Sequence, residues 1–202
     1  IYCGYCPQGH AIASGLKNQH GGDFWVINVH AGGFAAPGGG DPDYRTSFGT
    51  AIDNQADPCG YPAGDVNRRV FAGLQQTGQN GCVANTAMSR GDWGNAVGQV
   101  LADSSYVNVA VEAQVDEQSR ELRVITQYYY TATAGVSTNK LNIALLQNNI
   151  EGPQSGSTGN PSNVLPNGNY NHQHMLRHLI TGQWGQDITN TAMGSTATDT
   201  FY

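Results

Sequence analysis

The chain has 202 residues, of which only 12% are charged, with 27 glycines, four cysteines and a formal net charge of −6. A chain this acidic lacks the basic face that nucleic-acid binding needs, so nucleic acid is excluded as a partner. No apolar run is long enough to cross a membrane as a helix, and an even cysteine count suits an oxidising, extracytoplasmic compartment.

Cys3-Gly4-Tyr5-Cys6, followed by Pro7, reads as a C-x-x-C pair at the mouth of a helix. Zinc would need a second C-x-x-C or a histidine pair at ligand spacing, and Cys59 and Cys82 supply neither. A redox pair or a structural disulfide is the better reading. Among three connectivities, Cys3–Cys6 with Cys59–Cys82 is the expected one. At a helix N-terminus the free N–H groups and the dipole favour a thiolate. Cys3 is then the more exposed, attacking sulfur and Cys6 the resolving one, while a permanently closed staple is the competing reading. Pro7 suits the first turn, Ile12 and Leu16 predict a buried stripe, and Gly21-Gly22 predicts the stop.

Phe24 to His30 is a β-rich run bounded by glycines and predicts a central strand. Tyr61-Pro62, a bond with an appreciable cis fraction even in unfolded chains, precedes a second strand candidate, Val66 to Phe71; in thioredoxin-like folds, which this arrangement resembles, a cis-proline at such a position packs on the cysteine pair. Asp92 to Leu101 predicts a helix. Past Asp103, Val107, Val109, Val111, Ala113 and Val115 alternate as in a strand with one buried face. Glu121 to Thr133 puts Leu122, Val124, Thr126, Tyr128 and Tyr130 on one side. Leu141, Ile143 and Leu145 mark a third strand, and Thr196 to Tyr202 opens another. The Gly32–Gly40 and Gly152–Gly168 stretches predict long loops.

The remaining candidates are histidines and aromatics. His10 and His30 are expected near Cys3, able to modulate its thiolate. His172, His174 and His178 form H-x-H-x-x-x-H, which no single regular element aligns, so structural roles outweigh metal binding and no metal is expected. No phosphate loop, G-x-S-x-G or H-E-x-x-H is present, and no cofactor is expected. Tyr128 to Tyr130 with Trp25, Trp93 and Trp184 leave a glycan or small-ligand binder as a further reading.

The motifs Cys3-Gly4-Tyr5-Cys6-Pro7, Asn28-Val29-His30-Ala31-Gly32-Gly33-Phe34, Gly60-Tyr61-Pro62 and Tyr170-Asn171-His172-Gln173-His174-Met175 together resemble the outer membrane protein 28-related family of Bacteroidota. The resemblance implies an α/β thioredoxin-like domain over residues 1–103. It further implies an immunoglobulin-like β-sandwich over 104–202, and an outer-membrane or cell-surface setting with a lipid anchor. A thioredoxin-like core needs a strand feeding into the C-x-x-C, so both domains are expected to be incomplete at the chain ends. Other cell-envelope proteins are the expected partners, as components of a larger assembly. The pair is either an interaction module's staple or the centre of a thiol–disulfide oxidoreductase using Cys3, Cys6 and Pro62.

Overall fold

The protein, a computed structural model covering Ile1–Tyr202, is partly β, with few helices and mostly antiparallel strands in small sheets. The helices are α1 (Cys6–His20), α2 (Ser47–Ala56) and α3 (Trp93–Leu101). The first strands are β1 (Ala63–Gly64), β2 (Gln75–Thr77), β3 (Val83–Ser89), β4 (Val107–Val115), β5 (Leu122–Tyr130) and β6 (Asn139–Leu141). The later ones are β7 (Ala144–Gln147), β8 (Ile150–Gly152), β9 (Tyr170–His172), β10 (Met175–Leu179), β11 (Gln186–Ile188) and β12 (Thr196–Phe201). No helix is long and apolar enough to cross a membrane.

The chain forms two compact units, one of Ile1–Ala102 with Ala144–His178, the other of Asp103–Ile143 with Leu179–Tyr202. The expected division at Asp103 falls where the leading segment of the first unit ends. The stretch 144–178, however, groups with the first unit rather than with its neighbours in sequence. Its hydrogen bonds explain why: β10 pairs with β7, and Asn28 bridges Met175, so a strand segment near the start is tied to one near residue 175.

In the first unit the antiparallel sheet runs β1-β3-β2, and β8 pairs with β9. Apolar packing is divided among small clusters: Phe71, Met88 and Ala96; Ala56, Ala84 and Ala87; Ile1, Tyr44 and Met175. Thr46 caps α2 by accepting from the Gly49 N–H, and Gly21, at φ 57°, ends α1 as its sequence predicts. α1 buries Pro7 and Gly9 while Ile12 is exposed, so its packed face lies one step round from the expected Ile12/Leu16 stripe.

Two strand expectations fail for identifiable reasons. The Phe24–His30 run makes only the single bridge at Asn28, because no neighbouring strand lies along the rest of it. The Val66–Phe71 run is turned instead: Asn67 and Arg68 have φ of 52° and 51°, and the Asp65 carboxylate accepts from the Arg68 N–H at 3.2 Å. That aspartate-anchored turn competes with strand geometry and wins. The strand there is β1, earlier and shorter.

The second unit is all-β. Its three-stranded sheet has the order β12-β5-β4, and β6 pairs with β11. The face of β5 carrying Val124, Thr126 and Tyr130 is buried, as alternation predicts. Tyr130, Leu141 and Ile188 form its core, reaching Val107 and no further along β4. Val109, Val111 and Val115 therefore stand exposed on an edge strand, contrary to the expected buried face. The expected third strand resolves into β6 and β7, which have different partners and belong to different units.

Cys59 and Cys82 form a disulfide with Cα atoms 5.9 Å apart, joining the loop before β1 to the start of β3. Closing a loop of this length removes about 3 kcal/mol of chain entropy from the unfolded state. The double substitution Cys59→Ala with Cys82→Ala is expected to lower stability by that amount in urea unfolding; a change below about 1 kcal/mol would contradict it.

Candidate functional site

The C-x-x-C turn opens α1, with Tyr5 as N-cap, Pro7 in the first turn and the Cys6 N–H donating to the Cys3 carbonyl at 3.3 Å. Cys3 and Cys6 form a disulfide with Cα atoms 5.4 Å apart. The exposure order is the reverse of that expected: Cys3 is 7% exposed, while Cys6 is half-buried and Tyr5 lies open to solvent.

Cys3 is covered by the loop after β8. The Gln154 amide donates to the Cys3 carbonyl at 3.0 Å, and the Ser155 N–H donates to the Ile1 carbonyl at 2.8 Å. Gly156, at φ 65°, lies so tightly on the turn that an added Cβ would overlap the Gly4 carbonyl oxygen. A Cβ on Gly159 would come within 2.8 Å of Gln8. The predicted long loop is thus a packed cover over the cysteine turn, built around glycines because nothing larger fits.

Pro62 follows a cis Tyr61-Pro62 peptide bond and packs on α1 at Gly9, where an added Cβ would lie 3.1 Å from the proline Cβ. The Trp93 ring fills the same contact and donates from Nε1 to the Met88 carbonyl at 3.1 Å. Buried Gln76 fixes the preceding turn from both ends: its side-chain carbonyl accepts from the Cys59 N–H and its amide donates to the Gly60 carbonyl. The Tyr61 hydroxyl donates to the Asp53 carboxylate at 2.8 Å. Burial pushes the Asp53 carboxyl up, and burial with that hydrogen bond raises the Tyr61 phenol.

Three histidines gather nearby with two tyrosines. His172 on β9, only 1% exposed, has its ring centroid 5.4 Å from His30, 5.2 Å from Tyr44 and 5.1 Å from Tyr170. Asn160 donates to the Tyr170 hydroxyl at 2.9 Å, and that hydroxyl shares a hydrogen bond of 3.0 Å with His10 Nδ1. His172 Nε2 donates to the Pro153 carbonyl at 3.3 Å, so its Nδ1 carries a lone pair with no partner; His30 Nδ1 is likewise buried without one. Burial is the main cause holding all three imidazoles neutral, lowering His10 to about 4, His30 to about 3 and His172 to about 4. The neighbouring His172 depresses His10 and His30 further.

Cys3, Cys6, His10, His30 and Pro62 line one cavity of about 520 Å³ in the first unit. The structure therefore brings the expected catalytic and thiolate-modulating residues to one cavity. His174 sits at φ 53° with its N–H donating to the Asn148 side chain at 2.7 Å, and exposed His178 packs on the Phe48 ring at 4.8 Å, whereas the ring contacts of His172 are with His30, Tyr44 and Tyr170. No group of three His, Cys, Asp or Glu residues is placed to hold a metal ion. Lys17, the one lysine near the motif in sequence, is engaged at the far end of α1 by the Gly21 and Phe24 carbonyls.

Sequence reasoning missed Tyr44, Gln154, Gly156, Asn160 and Tyr170. Each meets the motif across more than a hundred positions or through a partner that does, and no periodicity carries such a contact. The glycines of the 152–168 stretch and the place of Tyr170 in the family-like motif around His172 were the available signals.

A family model described as Outer membrane protein Omp28 matches residues 49–202. The match begins inside α2, so Cys3, Cys6, His10 and His30 lie upstream of it. No curated protein and no solved structure matches the chain.

Proposed function

The chain belongs to the Omp28 outer membrane protein family, and from that membership we propose that it acts as an interaction or scaffold component of the cell envelope. Membership makes it an outer-membrane or otherwise extracytoplasmic protein. In this reading the leading part of the chain is a thioredoxin-like domain of a Bacteroidota surface protein. The second unit is sandwich-like, a lipid anchor holds the protein at the membrane, and its partners are other envelope proteins.

The observation that carries the reading is the burial of Cys3 beneath the Gln154–Gly159 cover. A sulfur that must attack a substrate disulfide needs access and a stabilised thiolate. Here the nearby imidazoles are held neutral and supply no cation, and the cystine staples the turn.

A second reading is favoured by one feature: the pair opens a helix and shares its cavity with Pro62. That arrangement supports a thiol–disulfide oxidoreductase in which Cys6, the more exposed sulfur, meets the substrate. Insulin reduction by the unaltered protein, Cys3→Ser and Cys6→Ser separates the two. The scaffold reading expects no turnover above background from any of the three. A rate that both substitutions abolish would establish the oxidoreductase instead.

A further inference from the structure

In the second unit β4 pairs only with β5 and ends its sheet. The phase of that ladder fixes which backbone groups of β4 remain free. Just beyond its ends, the Thr131 N–H donates to the Tyr106 carbonyl and the Asp116 N–H to the Glu121 carbonyl, each at 2.9 Å. Register between them is unbroken, from Val107↔Tyr130 to Val115↔Leu122. Bonded and unbonded pairs alternate along an antiparallel ladder, so Asn108, Ala110, Glu112 and Gln114 bond to β5. Val107, Val109, Val111, Ala113 and Val115 turn their N–H and C=O groups to the open edge. Ser105 satisfies Val107: its hydroxyl donates to the Val107 carbonyl and accepts from the Val107 N–H. No group of the chain takes up the rest.

These residues also form the uncovered apolar face of the strand, with Val109, Val111 and Val115 at 61%, 67% and 65% exposure. The features that keep an edge from pairing are missing, since β4 has no lysine, no proline and no bulge. Its sequence shows which strand fits. Read outward from Val111, it is close to its own reverse: Val109 matches Ala113, Asn108 matches Gln114, and Val107 matches Val115. Laid antiparallel on itself about Val111, the valines and Ala113 meet on one face, and the amides of Asn108 and Gln114 meet on the other. Charge selects that centre. Glu112, the one ionisable side chain of β4, then faces Ala110 of the other copy, whereas a centre at Glu112 would oppose two carboxylates. A two-fold contact of this kind uses each β4 edge once and closes.

We propose that two copies of this chain pair edge to edge through β4, antiparallel about a two-fold axis at Val111, so that their sheets become one. Val111 then bonds to Val111 across the axis, and Val109 to Ala113. The cysteine pair takes no part, so the insulin assay does not bear on it.

Sedimentation velocity of the 202-residue protein over a wide concentration range is expected to show monomer passing to dimer and nothing larger. Val111→Lys and Val111→Glu, at an exposed position, each place like charges across the axis, and each is expected to weaken association by about tenfold or more. Mixed in equal amounts, the two variants are expected to regain the dimer, because each ammonium then meets a carboxylate. Hydrogen exchange in the unaltered protein locates the contact: protection of the Val109, Val111 and Ala113 amides should rise with concentration. A monomer at every concentration overturns the proposal and leaves the edge to a strand of another protein. Dimers that survive both substitutions, a mixture that stays monomeric, assembly beyond the dimer, or protection that ignores concentration would each overturn it as well.

Discussion

Acidification from pH 7 to pH 4 is expected to unfold the first unit. His10, His30 and His172 are neutral in the fold, with titration points lowered to about 4, 3 and 4 chiefly by burial. In the unfolded chain each takes up its proton near pH 6.5. As pH falls below that value the unfolded state binds more protons than the folded one, and stability drops with it. The contribution is fully present above about pH 6.5 and is lost progressively towards pH 4. A displacement of this size corresponds to roughly 3 kcal/mol for the first imidazole. The three interact, so their effects do not simply add. Asp53 and Asp65, raised by burial, act in the opposite sense and soften the loss. Urea unfolding at pH 7.5, 6, 5 and 4.5 measures the slope. His172→Phe keeps a ring among Tyr44, Tyr170 and His30 but removes a proton site, and should flatten it. An unchanged slope between pH 6.5 and 4.5 in both proteins would contradict the buried-imidazole account.

Gly156→Val is expected to cost about 2–5 kcal/mol and to open the cysteine turn. The backbone there is left-handed, at φ 65°, and a Cβ would overlap the Gly4 carbonyl oxygen, an atom of the main chain that cannot swing aside. Left-handed strain of roughly 1–2 kcal/mol adds to an overpacking cost of about 1–3 kcal/mol. The relief available is displacement of the loop, which uncovers Cys3. Two measurements test this: the unfolding free energy, and the rate at which dithiothreitol reduces Cys3–Cys6 in the native protein. Gly4→Ala is the control, since nothing lies within 4 Å of its added Cβ. If Gly156→Val is as stable and as slowly reduced as Gly4→Ala, the cover does not protect the disulfide.

The sequence was legible wherever its local patterns determine the outcome. The α3 helix, the β4–β5 hairpin and β12 come from apolar spacing and turn residues, and Gly21 ends α1 because a left-handed cap is needed there. The Val66–Phe71 error had a local cause, since Asp65 with Asn67 is turn chemistry that outweighs β-branched residues. The exposed valines of β4 show the limit of alternation. Their spacing fixes a common face, but whether anything covers it depends on how far the Tyr130, Leu141 and Ile188 cluster extends. The site was half legible. Both cysteine pairs and the gathering of His10, His30 and Pro62 around one cavity agree with the motif. Cys3 lies buried because residues 154–159 fold back over it, a contact that no nearby residue announces.

Each compact unit draws on two separate stretches of sequence, and the stretches alternate along the chain. His172 and Tyr170, which complete the ring cluster around His30, come after the whole Asp103–Ile143 segment. A polypeptide delivered head first through a secretion pore would therefore bring out its cysteine turn long before the residues that shelter it. Until the 154–159 segment emerges, that turn lacks the contacts that cover it in the finished fold. The shelter of the Cys3–Cys6 bond is therefore among the last contacts the first unit can make, closing when Gly156 settles onto Gly4.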